Sequence, residues 1–404
     1  MEAGSKNYFS YHNHTDYSLL DSCTKPEEYV ELAKKYGMKA LATSNHGKIL
    51  NWTELYGLCK EAGLKYVHAV EIYVTEKLFP KVRDNYHTVL LARNEAGVKE
   101  LNSLVSMSCD EKHFFYKNRI SFEELCNISP NIIITSACLA SPLRAISKDH
   151  PMFNKLINRY DYLEIQPHGM KEQVEYNRYL WELSKEYNKP LIAATDSHAS
   201  SRYKSECRDM LMLSKMKPTT EERAREMIYP NYDEMDLTFK SYEELVKAFE
   251  KQGALPEEVY LEAIENTNVM CDMIEEIELD TSIKYPILYG SPEKDAEVLE
   301  ETIKVKFLDK LEKGIIPMCQ KQGFIEAMTE EVRVFKKLGM SAFILSMSEL
   351  VSWCKDNGLA IGNARGSVGG SRVAYVTDII DLNPETWHTV FSRFCNEDRE
   401  EINR

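Results

Sequence analysis

Two histidines two positions apart, His12 and His14 in Tyr11-His12-Asn13-His14-Thr15-Asp16, are the first residues whose types and spacing suggest chemistry. If residues 8–15 run as a strand, its period of two puts both imidazoles on one side, able to grip one ion, and Asp21 follows as a third donor. Alone, such a pair is most often two surface or hydrogen-bonded histidines. The residues further along weigh against that reading. Glu71 is a lone acid inside the apolar run Lys65 to Val74, where a carboxylate needs a partner. His46, Cys138, Asp196 and His198 each follow the end of an apolar run, and His87 opens one.

The elements that would position these donors alternate. Strands are expected at 39–44, 65–74, 86–92, 131–137, 160–166 and 190–195. Helices are expected between them, including 25–36, 51–62, 95–107 and 171–187. Strand, donor, helix, strand is the pattern of a parallel sheet closed or wound by crossover helices, whose functional groups gather at the carboxyl-terminal mouth. One shared site for the donors is compatible with it. From about 200 to 300 the chain turns polar and helical. Ser241 to Phe249 and Glu257 to Glu275 read as solvated surface helices, and Pro286 to Ser291 reads as a linker.

Composition sets limits. The 404 residues are 43% hydrophobic and 28% charged, as in ordinary globular proteins, and no apolar run approaches a membrane span. The ten cysteines are scattered singly with no CxxC, which argues for reduced thiols and a cytoplasmic chain rather than a disulfide framework. A net charge of −14 does not advertise nucleic-acid binding, although bound divalent ions can reverse the field locally. GxSxG, Walker A and GxGxxG motifs are missing, so serine-nucleophile, P-loop and dinucleotide chemistry lack support.

A second informative stretch is Leu359-Ala360-Ile361-Gly362-Asn363-Ala364-Arg365-Gly366-Ser367-Val368-Gly369-Gly370-Ser371. A short strand, a glycine-rich loop and a helix start make a phosphate cradle plausible, with Arg365, Gly366, Ser367, Gly370 and Ser371 as its contacts. A tight turn would use such a loop as readily.

Together the segments HNHTDYSLLD, SNHG, VEIYV, YHTVLLARNEAG, SACLA, LEIQPHG and ATDSHA resemble a PHP (polymerase and histidinol phosphatase) domain. GNARGSVGGSRVAYVTDIIDLNP and FSRFCNEDR resemble the start of a polymerase palm. The whole resembles the N-terminal part of the C-family replicative DNA polymerases, the bacterial or phage DNA polymerase III alpha subunits. That resemblance implies an α/β fold: a leader at 1–7, a distorted, TIM-like βα barrel at 8–215, a helical extension at 216–285 and a partial palm at 286–404.

It also implies up to three divalent ions, zinc or manganese or iron, in nine ligands. His12, His14, Glu71 and Asp196 would hold one. Glu71 would bridge to a second with His87 and Cys138, and Asp21, His46 and His198 would hold a third. Asp196, Glu71 and His198 are the implied catalytic residues of a 3′–5′ exonuclease. The intact polymerase would add magnesium, a DNA primer-template, a deoxynucleoside triphosphate, further polymerase domains, a sliding clamp and other replisome subunits.

Two positions depart from the pattern: Asn45 stands where the family usually has Asp, and Ser22 where it has Gly. Asp378 and Asp381 match a stretch without a catalytic role, so the palm aspartates are not reached and these residues are not expected to polymerise DNA alone. A stand-alone PHP phosphoesterase, or a metal-stiffened scaffold for a proofreading subunit, are the competing expectations. His68, His113, His150 and His388 read as ordinary histidines, and His168 as a candidate contact near the mouth.

Overall fold

The computed structural model describes residues 6–216, 220, 234–280, 282 and 284–396. Residues 1–5 of the expected leader, and all of the charged stretch 219–227 except Thr220, lie outside the described residues. The chain divides into two compact units, Met1–Leu279 and Asp280–Arg404.

In the first unit the strands are β1 (Ala40–Thr43), β2 (Lys65–Thr75), β3 (Tyr86–Ala92), β4 (Arg119–Ser121), β5 (Ile132–Thr135), β6 (Leu163–Ile165) and β7 (Leu191–Ala193). The expected opening strand at 8–15 makes only single bridges, yet these close a ring. Ser10 pairs with Leu41 and Asn13 with Ser197, while Thr135 pairs with Tyr162. Around the ring the order runs from the opening segment through β1, β2, β3, β5, β6 and β7 and back. β4 sits off it, paired with the end of β2.

The ring is not all parallel, contrary to the sequence expectation. β3 is antiparallel to both β2 and β5, with Tyr73 opposite His87 and Glu71 opposite Val89. The reversal follows from the connection: the segment between β2 and β3 holds no helix to carry the chain back along the sheet, and without a crossover the next strand returns antiparallel. A reversed strand begins at the mouth where its neighbours end, which places His87 among the other donors.

Alternation then does the positioning. Inward-facing Ala40 and Ala42, Val67 and Ala69, Val89 and Leu91, Ile133, Tyr162, and Ile192 and Ala194 fill the barrel with Phe9 and Tyr11. The opposite parity, including Leu41, Val70, Ile72, Leu90, Ile134, Leu163 and Ile165, packs outward on the helices. Continuing the inward parity leads to Glu71 and Tyr73 on β2 and to Asp196 beyond β7.

The helix Glu257–Asp272, expected on the surface, is a correction. Its Met270 and Cys271 enter the barrel core with Phe9, Ala40 and Val67, and Thr267 accepts a hydrogen bond from Phe9 N (3.0 Å). It covers the amino-terminal end of the barrel because its apolar face has that opening to fill. Helix Tyr242–Gln252 likewise buries Leu245 and Phe249.

The second unit packs the helices Pro292–Glu312, Lys321–Lys337 and Ser341–Asp356 with the short helix Arg372–Val376 around Phe307, Phe324, Phe335 and Tyr375. Leu359 to Ile361, expected as a strand, forms none and is exposed. Asp378, at φ +66°, is clasped by Lys306 (2.9 Å) and Lys310 (2.6 Å), a structural role. Among the described residues no helix is long and apolar enough to cross a membrane.

Candidate metal centre

The nine donors named from the sequence meet at the carboxyl-terminal mouth. Glu71, 1% exposed, is the hub: its Oε1 lies 2.8 Å from His87 Nδ1 and 3.5 Å from His12 Nε2. Its Oε2 lies 2.6 Å from His46 Nδ1 and 3.3 Å from His14 Nε2. Asp196 Oδ1 is 3.2 Å from His12 Nε2, 3.1 Å from His14 Nε2 and 3.6 Å from His198 Nδ1. Asp21 Oδ2 faces His46 Nε2 at 2.9 Å and His198 Nε2 at 3.3 Å. Cys138 Sγ completes the set, 3.6 Å from His87 Nδ1 and 3.9 Å from Glu71 Oε1.

Several of these atoms touch without bonding. His12 Nε2, His14 Nε2, His46 Nδ1, Glu71 Oε2 and Asp196 Oδ1 are buried with no hydrogen-bond partner. Buried polar atoms are almost always paired, so donors crowded to hydrogen-bond distance with the wrong angles are aimed at a common point between them. Ligand atoms of His14, His46 and His198, of His12, His14 and Glu71, and of His46, Glu71 and His87 each lie within 4.8 Å of one another. Buried carboxylates also require compensating positive charge, which protonated imidazoles or bound cations can supply. The donor set therefore fits divalent cations.

The surrounding side chains set which nitrogen faces that point. Glu164 Oε1 accepts from His12 Nδ1 (2.7 Å) and from Gln166 Nε2, and its Oε2 accepts from Tyr11 and Thr135 hydroxyls. Ser18 Oγ donates to Asn45 Oδ1 (3.0 Å) and so accepts from His14 Nδ1 (2.8 Å). His198 Nδ1 donates to the Asp196 carbonyl (2.8 Å). Each ring is thus held with Nε2 toward the centre. Asn45 acts through Ser18, from behind the donors. Asp196 adopts φ +49°, a left-handed conformation unfavourable for most residues but tolerated by Asp, which turns its carboxylate between His12 and His14.

The charges couple accordingly. Burial disfavours the Asp196 carboxylate, but His12 and His198 outweigh it and hold its pKa well below the usual range. Asp21 behaves alike through His198, His46 and Arg208, whose guanidinium lies 2.6 Å away. Burial would discharge His46, yet Glu71 and Asp21 raise it to about 9. Burial and then the negative field of Asp196 and Glu71 push the Cys138 thiol up, a field that a bound cation inverts.

Sequence reasoning missed Glu164, Ser18 and Arg208. Glu164 carried the same signal that marked Glu71, a lone acid on the inward parity of an apolar strand; Arg208 carried none. His168 is buried rather than open to substrate, and burial lowers it to about 4.

The glycine-rich loop needs a correction too. Ser371 is fully buried; its hydroxyl donates to Glu331 Oε2 (2.6 Å), and the same carboxylate accepts from Arg372 N and Val373 N. An internal acid already occupies that helix start, so Ser371 is unavailable to a phosphate. Gly370 is buried with Val390 O 2.4 Å from where a Cβ would stand. Arg365, Gly366 and Ser367 are exposed.

A barrel with such a mouth goes with a PHP domain: residues 10–168 match the PHP domain family, and residues 297–403 match the bacterial DNA polymerase III alpha NTPase domain. Over 98% of its length the chain is 30% identical to DNA polymerase III subunit alpha of Aquifex aeolicus, and over 96% it is 31% identical to that of Borreliella burgdorferi. The chain belongs to the family of bacterial DNA polymerase III alpha subunits. It spans about a third of those relatives, 35% and 34% of their lengths. Among solved structures, an amidohydrolase from Chromobacterium violaceum aligns at TM-score 0.34 and 11% identity, covering 48% of this chain and 88% of that one.

Proposed function

We propose that the PHP centre hydrolyses phosphodiester bonds at the 3′ end of DNA, as the proofreading exonuclease of a replicative DNA-directed DNA polymerase. The observation that carries this reading is the convergence on one mouth of five imidazoles, three carboxylates and a thiol, five of whose atoms are buried without partners. His12, His14, Glu71 and Asp196 would hold one ion, Glu71, His87 and Cys138 a second, and Asp21, His46 and His198 a third. Imidazole with thiolate suits zinc, and carboxylate widens the choice to manganese or iron. Bound cations of this kind supply Lewis acidity and a water ionised near neutral pH.

The side chains divide the remaining work by depth. His12 and His14 are 0% exposed and Glu71 1%, forming a rigid floor. The side chains of His46, Asp21 and His87, at 16%, 18% and 19%, form the face a substrate reaches. Asp196 keeps Oδ1 among the rings of His12, His14 and His198, so it joins the floor to the His198 side of the mouth. His198 couples Asp196 to Asp21, and Glu71 binds the floor together. In a polymerase carrying further domains, the exposed Arg365, Gly366 and Ser367 would meet nucleotide phosphates.

A 3′-end-labelled primer on a template, incubated with manganese- or zinc-loaded protein beside Asp196→Asn, tests the reading. Nucleotide release abolished by the substitution is expected. No release by protein shown to carry its metals would refute it, and faster turnover of p-nitrophenyl phosphate than of DNA ends would favour a small-molecule phosphoesterase.

A further inference from the structure

Beside the metal mouth lies a surface that the centre itself does not use. Two segments, 79–84 after β2 and 114–117 before β4, expose large aromatic rings: Phe79 at 61%, Phe114 at 50% and Tyr116 at 60%. Cations are interleaved with them. The Arg83 guanidinium stacks 4.0 Å from the Tyr116 ring, and Lys81 Nζ lies 5.9 Å from Phe79 and 6.0 Å from Phe115. Exposed rings are costly in water, and their clustering marks an interaction surface.

The surface is held in shape. Arg119, fully buried, donates to the Val82 and Asp84 carbonyls and so pins one segment from beneath. Lys81 Nζ donates to the Glu111 and Phe114 carbonyls at 2.9 and 3.2 Å, tying the second segment to the first. Two of the nearby acids, Asp110 and Glu124, both bond His113, at 2.7 and 2.9 Å, while Asp84 and Glu111 also lie at this surface. The surface is also continuous with the metal mouth. Lys117 Nζ donates to Tyr73 OH (3.2 Å), and the Tyr73 ring lies 5.7 Å from His46 and 5.2 Å from His87.

We propose that this aromatic and basic surface is a binding platform for single-stranded DNA, on which bases stack against Tyr116 and Phe114 while Lys81 and Arg83 meet the backbone, leading the strand toward Tyr73 and the metal mouth. The chemistry selects the occupant. Every base has a face that stacks on an exposed ring, and a chain of phosphates requires cations at intervals, whereas a duplex offers no free base. The proposal rests on the nuclease reading for the direction in which the strand runs, but its test does not.

Binding is read by fluorescence anisotropy with a short fluorescein-labelled oligothymidylate whose 3′ linkages are phosphorothioates, so that no turnover is needed. Relative to wild type, Tyr116→Ala and Phe114→Ala are each expected to weaken binding about tenfold, with Tyr116→Trp restoring it. Arg83→Ala is expected to flatten the salt dependence, and a duplex of equal length to bind more weakly than the single strand. Unchanged thermal melting shows that each variant is folded. Wild-type protein that fails to bind the oligothymidylate, or a folded Tyr116→Ala/Phe114→Ala double variant that binds it as wild type does, overturns the platform. Binding with these losses but no cleavage of a natural primer overturns the nuclease reading alone.

Discussion

Glu164 offers the sharpest test of how the metal centre is held. Its two oxygens accept four donors: His12 Nδ1 at 2.7 Å, Gln166 Nε2 at 2.8 Å, Tyr11 OH at 2.8 Å and Thr135 Oγ1 at 3.0 Å. Glu164→Gln preserves volume but leaves one acceptor oxygen and puts an amide NH2 against two of those donors. The charge that makes His12 a strong donor at Nε2 is also lost. Groups bonded to the far side of a ligating imidazole typically change metal affinity about 10- to 100-fold, or about 1.4–2.7 kcal/mol. Competition against a chromophoric chelator, titrated with zinc or manganese, measures this directly. A folded Glu164→Gln protein that holds its metals as tightly as wild type would refute the claim that Glu164 orients His12.

The remaining predictions concern stability. Removing the metals uncovers Asp21, Glu71 and Asp196 to one another; binding at a hundred times Kd contributes about 2.7 kcal/mol, so chelation is expected to lower Tm by a few degrees, and an unchanged Tm after verified metal loss would contradict the fit. His68 is buried and neutral, its Nδ1 bonded to Tyr66 OH (2.6 Å) and Nε2 to Asn102 Oδ1 (2.8 Å), and burial lowers it to about 4 from 6.5. Because the folded value lies below the unfolded one, its contribution is present above pH 6.5 and lost as pH falls toward 4, by about 3 kcal/mol. His68→Gln should therefore flatten the acid limb of the stability profile measured by denaturant unfolding. In the second unit, Glu331→Ala strands the Ser371 hydroxyl and two backbone amides, at about 1 kcal/mol or more each. Amide exchange at Arg372 and Val373 should accelerate about a hundredfold, and unchanged protection would show that the carboxylate does not hold that helix start.

The donor set was legible because its signals are local. A carboxylate inside an apolar run, as at Glu71, or a histidine at the end of one, as at His46, departs from what a buried strand tolerates, and strand–helix alternation says where such ends gather. The glycine-rich loop shows the limit of the same approach. Its residues suit a phosphate, but whether a helix start is free depends on Glu331, some 40 positions earlier and indistinguishable in sequence from its acidic neighbours on that helix.

By itself the sequence determined residue chemistry, parity and the order of elements, since these depend on neighbours a few positions away. Only the tertiary structure decided the rest. The reversal of β3 brings His87 to the mouth, helix Glu257–Asp272 closes the far end of the barrel, and Glu164, Ser18 and Arg208 lock the donors from behind. Each of these depends on which distant backbone approaches which, and that is set by closing the ring and filling its core, a condition on the whole chain that no local window contains.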